Sequence, residues 1–145
     1  MKNIFVVPVE FGDTDPATIV FYPHFFRWFD ASAWRLFAKA GLTLDVLQNE
    51  FGLLGLPIAE AKSKFIKPAR LGDTLEITSY VSEWKRKSFD MMHEVRIDGD
   101  LCAEGMETRV CARYREVGSS EFVAAPIPED IRRRLSASAS GQSPE

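Results

Sequence analysis

Between Tyr22 and Gly41 the apolar side chains Tyr22, Phe25, Phe26, Phe29, Ala33, Leu36, Phe37 and Ala40 recur at spacings of three and four. That spacing predicts a helix over Pro23–Ala40 with one apolar stripe. Pro23 suits the first helical position, where its missing N–H would have had no partner. Gly41 suits the position just past the last turn, and Lys39 complements the negative end of the dipole. Eight of the 17 aromatic residues fall between Phe21 and Phe37. A helix so heavily loaded on one side must be covered, and the rest of the chain has to supply the cover.

That cover reads as strands. Lys2–Phe11 is rich in Val, Ile and Phe, with Pro8 marking an edge or a bulge. Thr43 can cap a second short helix over Leu44–Phe51. Beyond Leu56 the period changes to two. Ile58–Lys67 is a strand. Leu75, Ile77 and Val81 share one face of the next, with Glu76, Thr78, Tyr80 and Trp84 on the other. Phe89, Met91, His93, Val95 and Ile97 share a face of the third. Asp98-Gly99 is a two-residue hairpin signal. Leu101–Arg115 alternates again, with Cys102, Met106, Val110, Ala112 and Tyr114 on one face. Glu121–Ala124 is a short strand and Pro128–Leu135 a last helical turn or two. The fold class is therefore α+β: one helix packed on an antiparallel sheet of about five strands, in a single domain over residues 1–135. The small polar run 136–145 (SASASGQSPE) is expected to be a disordered tail. One helix covers one face only, so the other face or an edge must meet water or another subunit.

Composition narrows the function. The 145 residues are 46% apolar and 27% charged, which excludes general disorder. A net charge of −3 argues against a nucleic-acid partner. Cys102 and Cys111 sit too far apart along one strand to bridge and are read as small packing residues. Pro8 and Glu10 interrupt the first apolar run before it can serve as an export signal, and nothing approaches a membrane span. A cytoplasmic protein is expected.

Glycine-rich phosphate loops, a GxSxG elbow and metal-ligand spacing are missing, so no metal or cofactor is expected. Three features remain. Asp13 and Asp15 lie in the loop after the first strand, where they serve either turn chemistry or a catalytic carboxylate beside the next helix. The helix start offers backbone donors at Tyr22, His24 and Phe25 for an oxygen that gains negative charge. Asp30, in line with Phe26, Ala33 and Phe37, is at the rim of the core or lines a pocket. Residues 61–90 carry seven bases and four acids, either a solvated strand face or a phosphate site. Arg132–Arg134 reads as a solvated helix face. His93 reads as a core or pocket-wall histidine, and His24 can lend a neutral ring to a site entrance. An acid beside a helix start points to a hydrolase of activated acyl groups.

VEFGDTDPATIVFYPHFFRWFDAS (residues 9–32) resembles the opening of the 4-hydroxybenzoyl-CoA thioesterases, in the type with an Asp in the first loop. EWKRKSF (residues 83–89) resembles a second segment of that family. The resemblance extends from about Val9 to about Tyr114. It implies a hot-dog fold, a long helix wrapped by the sheet. It further implies two subunits sharing one continuous sheet, dimers joined as a tetramer, and an active site at the subunit interface. By position it makes Asp15 the catalytic carboxylate and Tyr22 the residue whose backbone N–H polarises the thioester carbonyl. It puts Asp30 near the hydroxyl of an aromatic acyl group, and Lys85, Arg86 and Lys87 at the coenzyme A phosphates, coenzyme A being part of the substrate. The Asp-Pro loop by itself also fits thioesterases of aliphatic acyl-CoA or carrier-protein esters. A non-catalytic acyl-CoA-binding module is the reading from another class.

Overall fold

A computed structural model describes residues 1–137; the expected tail lies outside the described residues from 138 onward. Strand β1 (Lys2–Pro8) leads through a 3-10 turn (Phe11–Asp13) to helix α1 (Pro23–Lys39) and helix α2 (Leu44–Asn49). Strands β2 (Ile58–Phe65), β3 (Thr74–Trp84), β4 (Ser88–Ile97) and β5 (Asp100–Val110) follow. A small ribbon, β6 (Ala112–Tyr114) with β7 (Phe122–Ala124), and helix α3 (Glu129–Ser136) complete the order. The main sheet is antiparallel throughout, in the order β1-β3-β4-β5-β2. This is the expected α+β arrangement, with a helix of moderate length, 17 residues, packed on β1, β3 and β4.

The local reasons are those of the sequence. Pro23 opens α1, Gly41 follows it at φ +74°, and Thr43 Oγ1 accepts from Val46 N to cap α2. Asp98 and Gly99 both take positive φ, 49° and 84°, as the two-residue β4–β5 turn requires. On α1, Phe25, Trp28, Phe29, Ala33, Leu36 and Phe37 are buried. Each large side chain among them contributes about 1.5–3 kcal/mol through removal from water.

Two face assignments are corrected. Trp84 does not share the outer face with Glu76, because a bulge between Val81 and Glu83 shifts the register and turns Trp84 inward onto Phe89, ring centroids 5.1 Å apart. In β5 the inward face is Ala103, Gly105, Glu107 and Arg109, while Met106 and Val110 point outward. The strand also ends at Val110, and Ala112–Tyr114 belongs to the ribbon instead.

The core has two apolar halves. One gathers Leu36, Phe37, Leu47, Leu56, Phe89 and Met91; the other gathers Val9, Phe25, Phe29, Leu75, Ile77 and Val95. Between them runs a line of buried polar side chains: Ser32, Ser79, His93, Glu107 and Arg109. At the two sheet edges lie β1 and β2, and β2 is exposed at seven of its eight residues. No helix among the described residues is long and apolar enough to cross a membrane.

Candidate active site

The loop between β1 and α1 doubles back on itself. Thr14 pairs with Val20, Asp15 N donates to Ile19 O at 2.9 Å, and Phe21 N donates to Asp13 O at 2.9 Å. Residues 13–15 therefore lie beside 19–21, and the chain passes from there into Tyr22 and α1. Thr18 turns the corner at φ +62°, an unfavourable left-handed conformation for a β-branched residue. Contacts to the segment before β3 hold it there: Ile19 bridges Arg70, and Leu71 N donates to Thr18 O at 3.2 Å.

The two loop carboxylates have different roles. Asp13 Oδ2 accepts from Glu10 N at 2.9 Å and closes the 3-10 turn. Asp15 Oδ1 accepts from Ala17 N at 2.8 Å, while Oδ2 accepts no hydrogen bond among the described residues. Turn chemistry and an available oxygen thus coexist in Asp15.

The three backbone donors also separate. His24 N donates to Phe21 O at 3.0 Å and Phe25 N donates to Tyr22 O at 3.1 Å. Tyr22 N–H has no acceptor among the described residues, and it points from the positive end of α1. Beside it, Tyr22, Phe25, Phe65, Val20 and Lys67 line a hollow of about 280 Å³. Phe65, from the end of β2, lies 5.3 Å from the Phe25 ring and 6.4 Å from the Tyr22 ring. His24 lies elsewhere. Its ring is 6.1 Å from Trp28, in a groove between α1 and β1 with Glu10, Arg27 and Arg35.

Asp30 lines a pocket rather than closing the core. With a side chain 50% exposed, it borders a hollow of about 330 Å³ beside Trp34, Leu54, Leu56, Ile58 and Arg109. Arg109 Nη2 donates to Asp30 Oδ1 at 2.8 Å and to both oxygens of Glu107 at 3.2–3.3 Å, and Nη1 donates to Leu56 O at 3.0 Å. Burial pushes the Glu107 carboxyl up, but the His93 hydrogen bond and the Arg109 charge outweigh it and hold it below its ordinary value. Sequence reasoning missed Glu107 and Arg109. Their signal was a period of two, in phase with Ala103 and Gly105, hidden because the buried face is the charged one.

Lys85, Arg86 and Lys87 form the exposed turn between β3 and β4. Helix α3 braces that turn: the Arg132 guanidinium donates to the carbonyls of Lys85 and Arg86 and lies over Trp84. Arg134 donates to Gly41 O at 3.2 Å and pairs with Asp130. The expected solvated face of α3 is thus a set of clamps, with Arg133 its exposed member.

The candidate residues fall at two ends of the sheet. The Asp15 loop touches the segment before β3, and the basic turn follows the last residue of β3. Thr74 and Trp84 are the ends of an eleven-residue strand, roughly 33 Å apart at about 3.3 Å per residue. Ile58 of β2 pairs with Arg109, and Arg109 with Phe89, so the Asp30 pocket belongs to the basic-turn end. Phe65, at the other end of β2, belongs to the Tyr22 end.

The sequence profile of the thioesterase-like superfamily matches residues 9–135. The chain belongs to that superfamily. A curated relative, the 4-hydroxybenzoyl-CoA thioesterase of Pseudomonas sp. (strain CBS-3), is 41% identical over 88 residues, which are 60% of this chain and 62% of that protein. A 1,4-dihydroxy-2-naphthoyl-CoA hydrolase of Thermosynechococcus vestitus (strain NIES-2133 / IAM M-273 / BP-1) is 34% identical over 126 residues, 85% of this chain and 81% of that one. The solved structure of the Pseudomonas 4-hydroxybenzoyl CoA thioesterase superposes with a TM-score of 0.83 at 32% identity, over 92% of this chain and 98% of that chain. The sheet and helix of this thioesterase-like chain are those of the hot-dog fold.

Proposed function

We propose that this chain hydrolyses an aromatic acyl-CoA thioester, of the 4-hydroxybenzoyl-CoA kind, to the free acid and coenzyme A. The observation that carries the reading is the unpartnered Tyr22 N–H at the start of α1, beside a loop that presents a free oxygen of Asp15. The thioester carbonyl oxygen accepts from Tyr22 N–H, and the charge that gathers on it in the transition state meets the helix dipole. Asp15 then acts in one of two ways. It attacks the carbonyl carbon to form an anhydride that water opens, or it takes a proton from the water that attacks. By either route the C–S bond breaks and the coenzyme A thiolate leaves and takes up a proton. Coenzyme A enters and leaves as part of the substrate, and these steps call on no resident cofactor.

The site needs two copies of the chain. Antiparallel pairing of β2 with β2 of a second copy sets the Phe65 end of one beside the Ile58 end of the other. The Asp15 and Tyr22 of one protomer then meet the partner's Asp30 pocket and the partner's Lys85, Arg86 and Lys87, which suit the acyl group and the phosphates respectively. Exposure of nearly all of β2 supports this pairing, since a long free edge is otherwise a liability. Tyr80, Met92 and Met106 stand in one cross-strand row on the outer face, a surface for a second dimer and hence a tetramer. Two free buried cysteines and a CoA-bearing substrate suit the cytoplasm.

The carboxylate at the end of the Asp30 pocket favours an acyl group with a polar end over a plain alkyl chain. Thiol release from 4-hydroxybenzoyl-, benzoyl-, phenylacetyl- and butyryl-CoA, by the wild type and Asp15→Asn, tests the reading. The expected result is turnover of the aromatic esters and a loss of about 10²–10⁴-fold or more in the variant. Near-normal hydrolysis by Asp15→Asn overturns the assignment, and a preference for butyryl-CoA overturns the aromatic substrate.

A further inference from the structure

Five side chains that play no part in the chemistry above cross the core in one hydrogen-bonded line. Ser32 Oγ and Ser79 Oγ are 2.6 Å apart, Ser79 Oγ and His93 Nδ1 2.5 Å, and His93 Nε2 and Glu107 Oε1 2.7 Å. Arg109 joins Glu107 to Asp30 and ends the line at the acyl pocket. An ionised Glu107 can only accept, so His93 Nε2–H donates to it. In the Nε2–H tautomer Nδ1 accepts from Ser79, whose oxygen accepts from Ser32, so that each link has one donor and one acceptor. Phe29 closes the line from the α1 side, stacked on His93 at 5.0 Å.

Such a line is costly to build. It places one guanidinium, one carboxylate and an imidazole between two apolar half-cores that could have met as hydrocarbon. Its geometry shows what it holds. Arg109 is anchored at three places by Leu56 O and the two oxygens of Glu107, leaving its bond to Asp30 as the one link that reaches solvent. Asp30 Oδ1 is occupied by that bond, and Oδ2 accepts nothing among the described residues. With two carboxylates facing one guanidinium, this end of the pocket is an acceptor with surplus negative charge.

We propose that Arg109 is a positioning residue for acyl-group selection: anchored by Glu107 and the His93–Ser79–Ser32 line, it pins Asp30 so that the pocket selects acyl groups bearing a hydrogen-bond donor. The inference rests on the thioesterase reading above and goes beyond it by locating the source of selectivity in the buried line. A fixed acceptor rejects a ligand that cannot donate, because the acceptor is then left desolvated and unpaired. A loose carboxylate swings back to water and discriminates little. The pocket likewise disfavours acyl groups that end in an anion.

The test is the ratio of kcat/KM for 4-hydroxybenzoyl-CoA over benzoyl-CoA, which differ by one donor. The wild type should show a ratio of at least about 10. Arg109→Met and Asp30→Ala should each bring it below about 3, with benzoyl-CoA losing at least about threefold less than the hydroxylated ester. The Asp30→Ala/Arg109→Met double variant should add nothing to the ratio change of Asp30→Ala, because Arg109 acts through Asp30. If Arg109→Met does not fold, Arg109→Lys keeps the charge without the forked contacts and should lower the ratio partway. Equal losses on both esters in the Arg109 variants, additive ratio changes, or a wild-type ratio near 1 each overturn the inference while the thioesterase reading stands. A wild type inert on all CoA thioesters overturns both.

Discussion

If each site draws on two chains, as proposed, mixing two impaired variants should restore activity. The roughly 33 Å of β3 between the Asp15 loop and the basic turn lies within one protomer, and the proposed antiparallel pairing of β2 with its copy would bring the opposite ends together. Let one parent carry Asp15→Asn and the other Lys85→Ala/Arg86→Ala/Lys87→Ala. The first parent loses the chemistry in both sites. The second loses the proposed phosphate contacts, about 1 kcal/mol for each of three exposed charges, or roughly a hundredfold in kcat/KM. In a hybrid dimer one site combines the Asp15→Asn loop with the alanine turn and is doubly damaged. The other takes the native Asp15 and the native turn and is intact. Random exchange at 1:1 makes half the dimers hybrid, each with one intact site of two, so the mixture should recover about a quarter of wild-type activity. The assay is thiol release below KM after the variants are unfolded together and refolded, against the same parents refolded apart. Activity no higher than the mean of the separate parents would refute the two-chain site. It would then require Asp15 and the basic turn to serve one ligand across the length of a single sheet.

Two further outcomes test the packing around the buried line. A Cβ at position 105 would lie 2.4–2.7 Å from three carbons of the Phe29 ring, which is itself stacked on His93. Gly105→Ala should therefore cost about 1–3 kcal/mol and lower Tm by roughly 3–10 °C, with partial rescue by Phe29→Leu; an unchanged Tm would contradict the close approach. The Glu107 carboxyl has a folded pKa below its unfolded value, so its contribution to stability is fully present above the ordinary value of 4.5 and is lost as pH falls through the folded pKa. The stability gap between wild type and Glu107→Gln, from urea unfolding, should be constant near neutrality and shrink as pH drops from about 5 to 3. A gap that widens towards acid would reverse the assigned direction.

The local devices were legible because each depends on a few neighbouring residues. Pro23, Gly41 and the three-and-four spacing specify α1; Asp98-Gly99 specifies the β4–β5 turn; Asp15-Pro16 ahead of Tyr22-Pro23 marks the loop and the helix mouth. Which of the three helix-start donors remains free was not legible. That depended on the first turn of α1 closing tightly, with Phe21 O and Tyr22 O taking up the N–H groups of His24 and Phe25 three residues on. The face of Trp84 was misread because a bulge adds a residue to one strand without any mark in its composition.

The buried line marks the boundary between the two kinds of information. Hydrophobic alternation identifies a strand's inner face when the core is apolar, and it succeeded for β3 as far as Val81 and for β4. In β5 it selected Met106 and Val110, because Glu107 and Arg109 are residues that rarely lie inside unless paired. Their partners, Asp30, His93, Ser79 and Ser32, come from other elements, and the bonds among them span up to 79 positions. By itself the sequence determined one amphipathic helix on an antiparallel sheet, an acid beside a helix start, and a basic turn. Only the tertiary structure decided which charges are buried, which carboxylate oxygen stays free, and that acid and bases stand at opposite ends of β3. Pairing a buried charge, or joining two ends of a sheet, depends on distances that exist only once the chain has closed on itself.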